Sequence, residues 1–174
     1  LLLRSGYITA SLLDRLPDLK VIAVHGVGVD PVDVAACTKR GVLVTNTPGA
    51  NADAVTEITF GLMLSLFRQI PDAAHKTKAD RAWDSARHTG GELTGRILGL
   101  IGLGQIGQQV ARIASAFGMG VIAHDPALDD AEINRRGAEP MTFEGVLGGA
   151  DILSLHAPEI PATRHMINSE TIAG

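Results

Sequence analysis

Apolar residues in the first part of the chain alternate between short continuous runs and helix-spaced positions. The pattern predicts strands over residues 1–3, 21–24 and 41–45 and helices over residues 10–16 and 31–40. Asp30 followed by Pro31 is typical of a helix start, with the aspartate as the cap and the proline in the first turn. Because strands and helices alternate, this part is expected to form a parallel sheet.

The alternation continues after a turn-rich stretch at residues 46–51, where we place a domain boundary. The predicted domains are residues 1–48 and residues 49–174. In the second, the pattern predicts helices over 53–67, 71–79, 105–117, 129–136 and 142–147, strands over 96–101, 121–124 and 151–155, and an irregular stretch over 80–94 with Trp83 as its large anchor. The helix over 53–67 is apolar on nearly every side, which indicates burial against another domain or subunit.

A glycine-rich turn joins the first strand of the second domain to the helix that follows. The turn reads Gly102-Leu103-Gly104-Gln105-Ile106-Gly107, a Gly-x-Gly-x-x-Gly pattern. In such a turn Gly102 allows a sharp change of direction, Gly104 lets the backbone approach phosphate oxygens, and Gly107 lets the helix pack closely on the strand. Free amides at the helix N-terminus, around Gln105 and Ile106, stabilise negative charge without a lysine. The turn therefore predicts a site for a dinucleotide pyrophosphate.

An aspartate follows the next strand in the position that a dinucleotide site requires. Asp125 comes directly after residues 121–124, and its carboxylate can accept hydrogen bonds from the adenosine ribose hydroxyls. The alternative is that Asp125 only starts a turn with Pro126. A negative charge here repels a 2′-phosphate, so NAD is favoured over NADP.

Composition narrows the range of partners. The formal net charge is −4 and aromatic residues make up 3% of the chain, so the chain offers neither a basic stripe nor stacking platforms for nucleic acid. The longest apolar stretch, residues 58–67, is far shorter than the roughly 20 residues of a membrane helix. A single cysteine, Cys37, cannot form an internal disulfide, which favours the cytoplasm.

The sequence lacks the residue patterns that several other functions require. The 6 histidines show no metal-ligand spacing, and we expect no metal site. His25 and His124 are interpreted as local packing residues. No Gly-x-Ser-x-Gly elbow or Gly-Lys-Ser/Thr loop is present, so neither a hydrolase nor a nucleotidase is expected.

Taken together, the motifs resemble those of the D-2-hydroxyacid dehydrogenases, a family that includes D-3-phosphoglycerate dehydrogenase, glyoxylate and hydroxypyruvate reductases, and formate dehydrogenase. The residues that carry the resemblance are Arg4-Ser5, Gly26-Val27-Gly28-Val29-Asp30, Asn46-Thr47-Pro48-Gly49, Val55-Thr56-Glu57, residues 99–107, Phe117-Gly118-Met119, Asp125-Pro126, Leu155-His156-Ala157-Pro158 and Thr163-Arg164-His165-Met166-Ile167-Asn168. The resemblance implies a doubly wound parallel sheet of the Rossmann type in residues 49–174, incomplete at its C-terminal end. It implies a fragment of a flavodoxin-like substrate domain in residues 1–48.

Substrate-binding residues follow from the resemblance. It implies that the backbone amides of Gly26, Val27 and Gly28 bind the substrate carboxylate beside the nicotinamide, with Val27 also next to the cofactor. Arg4 matches an arginine that reaches the substrate phosphate in the phosphoglycerate-specific members. A surface charge at a strand end is the alternative interpretation of Arg4.

Cofactor and subunit contacts are implied in the same way. The cofactor is NAD, and His156-Ala157-Pro158 and Thr163 are expected on its side of the sheet, because ligands gather at the carboxyl ends of parallel strands. The helix over residues 53–67 and the arm after it build a subunit contact in the family. A homodimer is therefore expected.

The chain also departs from the family. Many relatives have alanine at the position of Thr56, a minor change expected mainly to affect packing. The family places its catalytic arginine, glutamate and histidine in a stretch expected beyond Gly174, so no catalytic residue is assigned and the chain is expected to belong to a longer enzyme. That enzyme would interconvert a D-2-hydroxy acid and its 2-keto acid, with 3-phosphoglycerate as the first substrate. The alternatives are a glyoxylate or hydroxypyruvate reductase, a non-enzymatic NAD-sensing protein of the corepressor type, and a structural or dimerisation module.

Overall fold

The computed structural model of the chain describes residues 1–81 and 89–173, and Trp83 lies outside them. The chain divides into two compact units, Leu1–Ala52 and Asp53–Gly174. Each unit has its own buried apolar residues. The predicted parallel α/β architecture is confirmed, because every strand pair in both sheets is parallel.

The first unit is a small sheet with two helices. Its elements are β1 (Leu2–Leu3), α1 (Ala10–Leu13), β2 (Val21–Val24), α2 (Val34–Lys39) and β3 (Leu43–Thr45). The strand order is β1-β2-β3. Ile22, on the central strand, is completely buried, as is Cys37 on α2. Burial raises the pKa of the Cys37 thiol.

The second helix of this unit begins later than the sequence pattern predicts. Its cap is Asp33, whose Oδ1 accepts a hydrogen bond from the Ala36 amide at 2.8 Å, so the prediction of Asp30 as the cap was wrong. The cause is a long-range pairing. Ile8 forms an isolated parallel bridge with Val32 and thereby holds the chain extended before the helix can start.

The second unit is a four-stranded sheet with helices around it. Its elements are α3 (Ala52–Phe67), α4 (Ile70–Asp80), β4 (Ile97–Ile101), α5 (Gln105–Ala116), β5 (Gly120–His124), α6 (Asp130–Arg135), β6 (Glu139–Pro140), α7 (Phe143–Gly149), β7 (Ile152–Leu155) and α8 (Ser169–Ala173). The strand order is β6-β5-β4-β7, so β5 and β6 lie on one side of β4 and β7 lies on the other. The order in which strands are added to the sheet therefore shows a reversal between β4 and β7. That reversal is the place where open α/β sheets bind their ligands.

Small side chains let α5 lie close to the sheet. Val110, Ala111 and Ala114 have no exposed surface, and they recur at the spacing of one helix face. Fully burying a side chain such as Val110 contributes roughly 1.5–3 kcal/mol to folding. The helix ends at Phe117, whose ring stacks on Phe60 of α3 with a centroid distance of 5.4 Å.

Helix α3 is buried on one side only. Phe60 and Met63 belong to the core of the second unit. Ile58, Leu62 and Leu66 follow one another at four-residue spacing on α3, with exposed fractions of 57%, 65% and 76%. We call these three residues the α3 apolar stripe.

Thr56 of α3 does more than fill space. Its side chain is buried, and Oγ1 donates a hydrogen bond to Oε1 of Gln109 on α5 at 3.0 Å. The same Gln109 donates through Nε2 to Oδ1 of Asp53 at 3.0 Å. Thr56 therefore joins α3 to α5 through a polar contact in addition to the expected packing.

Within the described residues, no helix combines the length and the apolar character needed to cross a membrane.

Candidate functional site

The three glycines of the turn after β4 differ in their surroundings. Gly102 has φ +90°, and a Cβ there would lie 2.7 Å from the Ala157 nitrogen. A Cβ on Gly107 would lie 2.3 Å from the carbonyl oxygen of Gly102. A Cβ on Gly104 would meet nothing within 4 Å. Gly102 and Gly107 are therefore required by the fold, whereas Gly104 borders open space that a ligand can approach.

The open space at Gly104 lies at the start of α5. Gly104 is the N-cap of this helix and offers no side-chain cap. The amides of Gln105 and Ile106 stand in the first turn, where helix geometry supplies no intrahelical partner. Together with the positive end of the helix dipole, these amides form a site that suits a phosphate group.

Asp125, at the end of β5, bonds to the glycine turn. Its Oδ2 accepts a hydrogen bond from the Leu103 amide at 2.8 Å, and its Oδ1 accepts one from the Ala127 amide at 3.0 Å. Asp125 therefore starts a turn and also bonds to the backbone of the glycine turn. Each carboxylate oxygen has a second lone pair, so Asp125 can still accept hydrogen bonds from a ligand hydroxyl.

The loop after β7 is fixed by its own side chains. Thr163 Oγ1 donates to the carbonyl oxygen of Pro158 at 2.6 Å and accepts from the Ile160 amide at 2.9 Å. His156 Nε2 lies 2.9 Å from Ser154 Oγ. Burial lowers the pKa of His156, so the neutral imidazole is favoured.

One cavity of about 450 Å³ brings most of the predicted cofactor-binding residues together. Those that line it are Gly102, Gly104, Asp125, His156, Ala157, Pro158 and Thr163. Gln105, Ile106 and Gly107 follow Gly104 in the first turn of α5. The cavity therefore joins the ends of β4, β5 and β7, the three strands at the reversal of the sheet.

Sequence reasoning missed several residues of this cavity. Its lining includes Ile101, His124, Pro126, Ala127, Phe143, Ile160, Ala162 and Met166. His124 was interpreted as a local packing residue, but it lies in the wall of the cavity, with Nδ1 3.2 Å from the Met141 carbonyl oxygen and its ring edge-on to Phe143. Its position at the carboxyl end of β5, next to Asp125, was the available signal.

The predicted substrate-binding residues lie in the first unit. Arg4, Gly26 and Gly28 line a cavity of about 230 Å³ at the carboxyl ends of β1 and β2. Val27 is 36% exposed, and its carbonyl oxygen accepts a hydrogen bond from Asn46 Nδ2 at 2.7 Å. The carbonyl oxygen of Gly26 accepts from the Thr47 amide. These contacts fix the Gly26-Val27-Gly28 loop from the segment after β3.

A parallel sheet with a Gly-x-Gly-x-x-Gly turn, an acidic residue after the second strand and a cleft at the strand reversal defines the class of dinucleotide-binding α/β domains. The family model described as "D-isomer specific 2-hydroxyacid dehydrogenase, NAD binding domain" matches residues 60–174, and the chain belongs to this family.

Known proteins resemble the chain over nearly its whole length. D-3-phosphoglycerate dehydrogenase of Bacillus subtilis is 41% identical over 174 residues, which cover 99% of this chain and 33% of that protein. Hydroxypyruvate reductase of Thermotoga maritima is 42% identical over 166 residues, covering 95% of this chain and 53% of that protein. A crystal structure of D-lactate dehydrogenase from Aquifex aeolicus, complexed with NAD and lactic acid, is 34% identical with a TM-score of 0.87 and covers 95% of this chain and 50% of that one.

These similarities decide between several of the sequence-based expectations. The predicted family and its cofactor, NAD, are confirmed. The relatives named above are dehydrogenases and a reductase, so the non-enzymatic NAD-sensing alternative is not favoured. The chain spans 33% of the phosphoglycerate dehydrogenase and 53% of the hydroxypyruvate reductase that it matches.

Proposed function

We propose that the protein to which this chain belongs transfers a hydride between NAD and a D-2-hydroxy acid or its 2-keto acid. The observation that carries the proposal is the open space at Gly104, at the N-terminus of α5 and in the same cavity as Asp125. A Cβ at Gly104 would project into that space, so the glycine fits a site where backbone amides approach a ligand.

Each part of the cavity has a distinct task in this proposal. The amides of Gly104, Gln105 and Ile106 bind the pyrophosphate, with Gly102 and Gly107 giving the turn its shape. Asp125 accepts hydrogen bonds from the adenosine ribose hydroxyls. His156, Ala157, Pro158 and Thr163 form the wall beside the adenosine. When NAD is bound, its nicotinamide supplies the hydride acceptor or donor, and these residues hold the pyrophosphate and adenosine parts of the cofactor.

The substrate part of the proposal rests on the first unit. The amides of Gly26, Val27 and Gly28 hold the substrate carboxylate, and Arg4 binds a phosphate on the substrate. The first substrate proposed is 3-phosphoglycerate, because Arg4 supplies a cation for a phosphate in the same cavity as Gly26 and Gly28. The second candidate substrate is hydroxypyruvate, which is supported by the 42% identity to hydroxypyruvate reductase of Thermotoga maritima.

Assembly and location complete the proposal. The α3 apolar stripe exposes three large side chains on one helix face, which supports a homodimer formed through α3. We further propose a flavodoxin-like substrate domain that includes residues 1–48, and a cytoplasmic location.

The test of the cofactor assignment is Asp125→Ala, measured as the ratio of NADH to NADPH affinity. Loss of the ribose hydrogen bonds weakens NADH binding, and loss of the negative charge removes repulsion of the 2′-phosphate. We expect the NADH preference to narrow by about 1–3 kcal/mol, or about 5- to 150-fold.

The ratio of the two affinities distinguishes loss of the ribose contact from loss of the bond to Leu103. A loosened glycine turn would weaken NADH and NADPH binding alike and leave the ratio unchanged. Asp129→Ala is the matched control, since Asp129 caps α6 and does not line the cavity. An unchanged ratio in Asp125→Ala would mean that Asp125 only holds the turn.

Substrate choice is measured with the full-length protein, as kcat/KM for 3-phosphoglycerate oxidation and for hydroxypyruvate reduction in wild type and Arg4→Gln.

A further inference from the structure

The peptide groups on both sides of Leu103 are held by side chains from later in the chain. The Leu103 amide donates to Asp125 Oδ2 at 2.8 Å, and the Leu103 carbonyl oxygen accepts from Arg136 Nη1 at 2.8 Å. The Leu103 side chain itself is completely buried. The residue between Gly102 and Gly104 is therefore fixed at its side chain, its amide and its carbonyl.

Arg136 is itself held in place by a second bond. Its Nε donates to Glu132 Oε1 at 2.6 Å, and the side chains of Arg136 and Glu132 are only 22% and 24% exposed. Hydrogen bonds from Arg135 and Arg136 lower the pKa of Glu132 to about 2. Glu132 is thus ionised at neutral pH and orients the guanidinium of Arg136 toward the carbonyl of Leu103.

The geometry of the peptide bond connects Arg136 to the cofactor site. The peptide between Leu103 and Gly104 is planar and trans, so its C=O and N–H groups point in opposite directions. Fixing the carbonyl of Leu103 therefore also fixes the direction of the Gly104 amide. A charged donor on the carbonyl polarises the peptide as well, which makes the Gly104 amide a better donor to an anion.

We propose that Arg136 is a positioning residue for the cofactor pyrophosphate, acting through the Leu103 carbonyl on the Gly104 amide. This inference rests on the proposed binding of NAD at the turn after β4. Arg136 does not touch the cofactor in this proposal. Both of its bonded donor groups are directed to the protein, one to Glu132 and one to Leu103.

The test uses the full-length protein and measures its dissociation constant for NADH by calorimetry. Arg136→Met keeps the length and apolar stem of the side chain but removes the guanidinium. We expect it to weaken NADH binding about 5- to 20-fold, which is less than the roughly 10- to 150-fold cost of losing a direct hydrogen bond to a charged group, because Arg136 acts only through the Leu103 carbonyl. Arg135→Met is the matched control, because Arg135 also pairs with Glu132 but is 72% exposed. It should bind NADH within about twofold of wild type.

Adenosine, which lacks phosphates, separates positioning from general damage. In competition with NADH, its inhibition constant should be the same for Arg136→Met and wild type. If Arg136→Met does not fold, Arg136→Lys replaces it, because one ammonium group keeps the charge beside Glu132 but cannot reproduce the fork that bonds Glu132 and Leu103 together. Arg136→Lys should then remain folded and bind NADH more weakly.

Each result has a definite meaning. Wild-type NADH affinity in a folded Arg136→Met or Arg136→Lys protein overturns the inference alone. Equal losses in Arg135→Met and Arg136→Met, or an equal loss of adenosine binding, overturn it as well, since they point to overall charge or to a damaged cavity. Failure of the wild-type protein to bind NADH overturns the proposed cofactor site itself, and the inference with it.

Discussion

At the scale of single residues, the three glycines of the turn after β4 divide into those that the fold requires and one that ligand access requires. A side chain at Gly107 would clash with the backbone of Gly102, and a side chain at Gly102 would clash with the loop after β7. A side chain at Gly104 would enter open space, and the backbone angles of Gly104 are extended ones that any residue can adopt. One motif therefore contains two glycines needed for stability and one needed for access.

This division predicts opposite phenotypes for substitutions three residues apart. Gly104→Leu should leave the melting temperature nearly unchanged and reduce NADH binding at least tenfold, because the side chain fills the ligand space. Gly107→Ala should lower the free energy of unfolding by about 1–3 kcal/mol, because the added methyl overpacks the turn. Thermal melts and NADH titrations of both variants provide the comparison. A destabilised Gly104→Leu chain that binds NADH normally would contradict the division.

Single residues also mark the limit of what the sequence could predict. Asp125 could be found because it follows a recognisable strand at the expected place in a βαβ unit. Its bond to the Leu103 amide and the bond from Arg136 to the Leu103 carbonyl could not. They join groups 22 and 33 residues apart, and nothing in the spacing of side chains says which backbone group each will reach.

At the scale of elements, α3 shows why an apolar helix needs a structure to be interpreted. The sequence pattern indicates burial on nearly every side, but the described residues bury Phe60 and Met63 and leave the α3 apolar stripe exposed. Phe60 belongs to the core and stacks on Phe117, so a charge at Phe60 would disrupt the fold. A test of the proposed homodimer must use the exposed residues.

We expect a Leu62→Glu, Leu66→Glu double variant to dissociate the proposed dimer while remaining folded. Each leucine contributes about 1.5–3 kcal/mol when buried, so the dissociation constant of the dimer should rise at least about 100-fold. Analytical ultracentrifugation at micromolar concentration measures the change. Glu57→Gln, an exposed polar substitution on the same helix, serves as the control. A wild-type protein that sediments as a monomer would refute the dimer.

The length of an element is one reason why its prediction succeeds or fails. Strand β4 and helix α5 were predicted closely, because runs of 5 and 12 residues display their periodicity. Strand β6 has 2 residues and no visible period, and it was not predicted as a strand. The late start of α2 had a tertiary cause, the bridge between Ile8 and Val32, which helix propensity cannot reveal.

At the scale of the whole molecule, each of the two units has its own buried apolar residues. Ile22 lies on the central strand β2 of the first unit, and Leu98 lies on β4 inside the sheet of the second. Both side chains are completely buried. The sequence predicts a domain boundary in the turn-rich stretch after β3, on the basis of its proline, glycine and asparagine.

Two matched truncations test which core supports cofactor binding. Ile22→Ala and Leu98→Ala each remove a buried branched side chain and should each cost about 2–5 kcal/mol in their own unit. In a titration of NADH binding against urea, Leu98→Ala should lose binding at a lower urea concentration than wild type. Ile22→Ala should lose it at the wild-type concentration. An equal shift in both variants would mean that the units unfold together.

The cavity at the strand reversal also has a consequence for the order of events in folding. Its walls come from residues between Ile101 and Met166, and the pairing of β4 with β7 closes a loop in which the Ile97 amide reaches Asp151, 54 residues later. Parallel contacts of such long sequence separation form late, because the entropy of loop closure must be overcome first. We therefore expect the complete NAD cavity to form late in folding, once β7 has paired with β4.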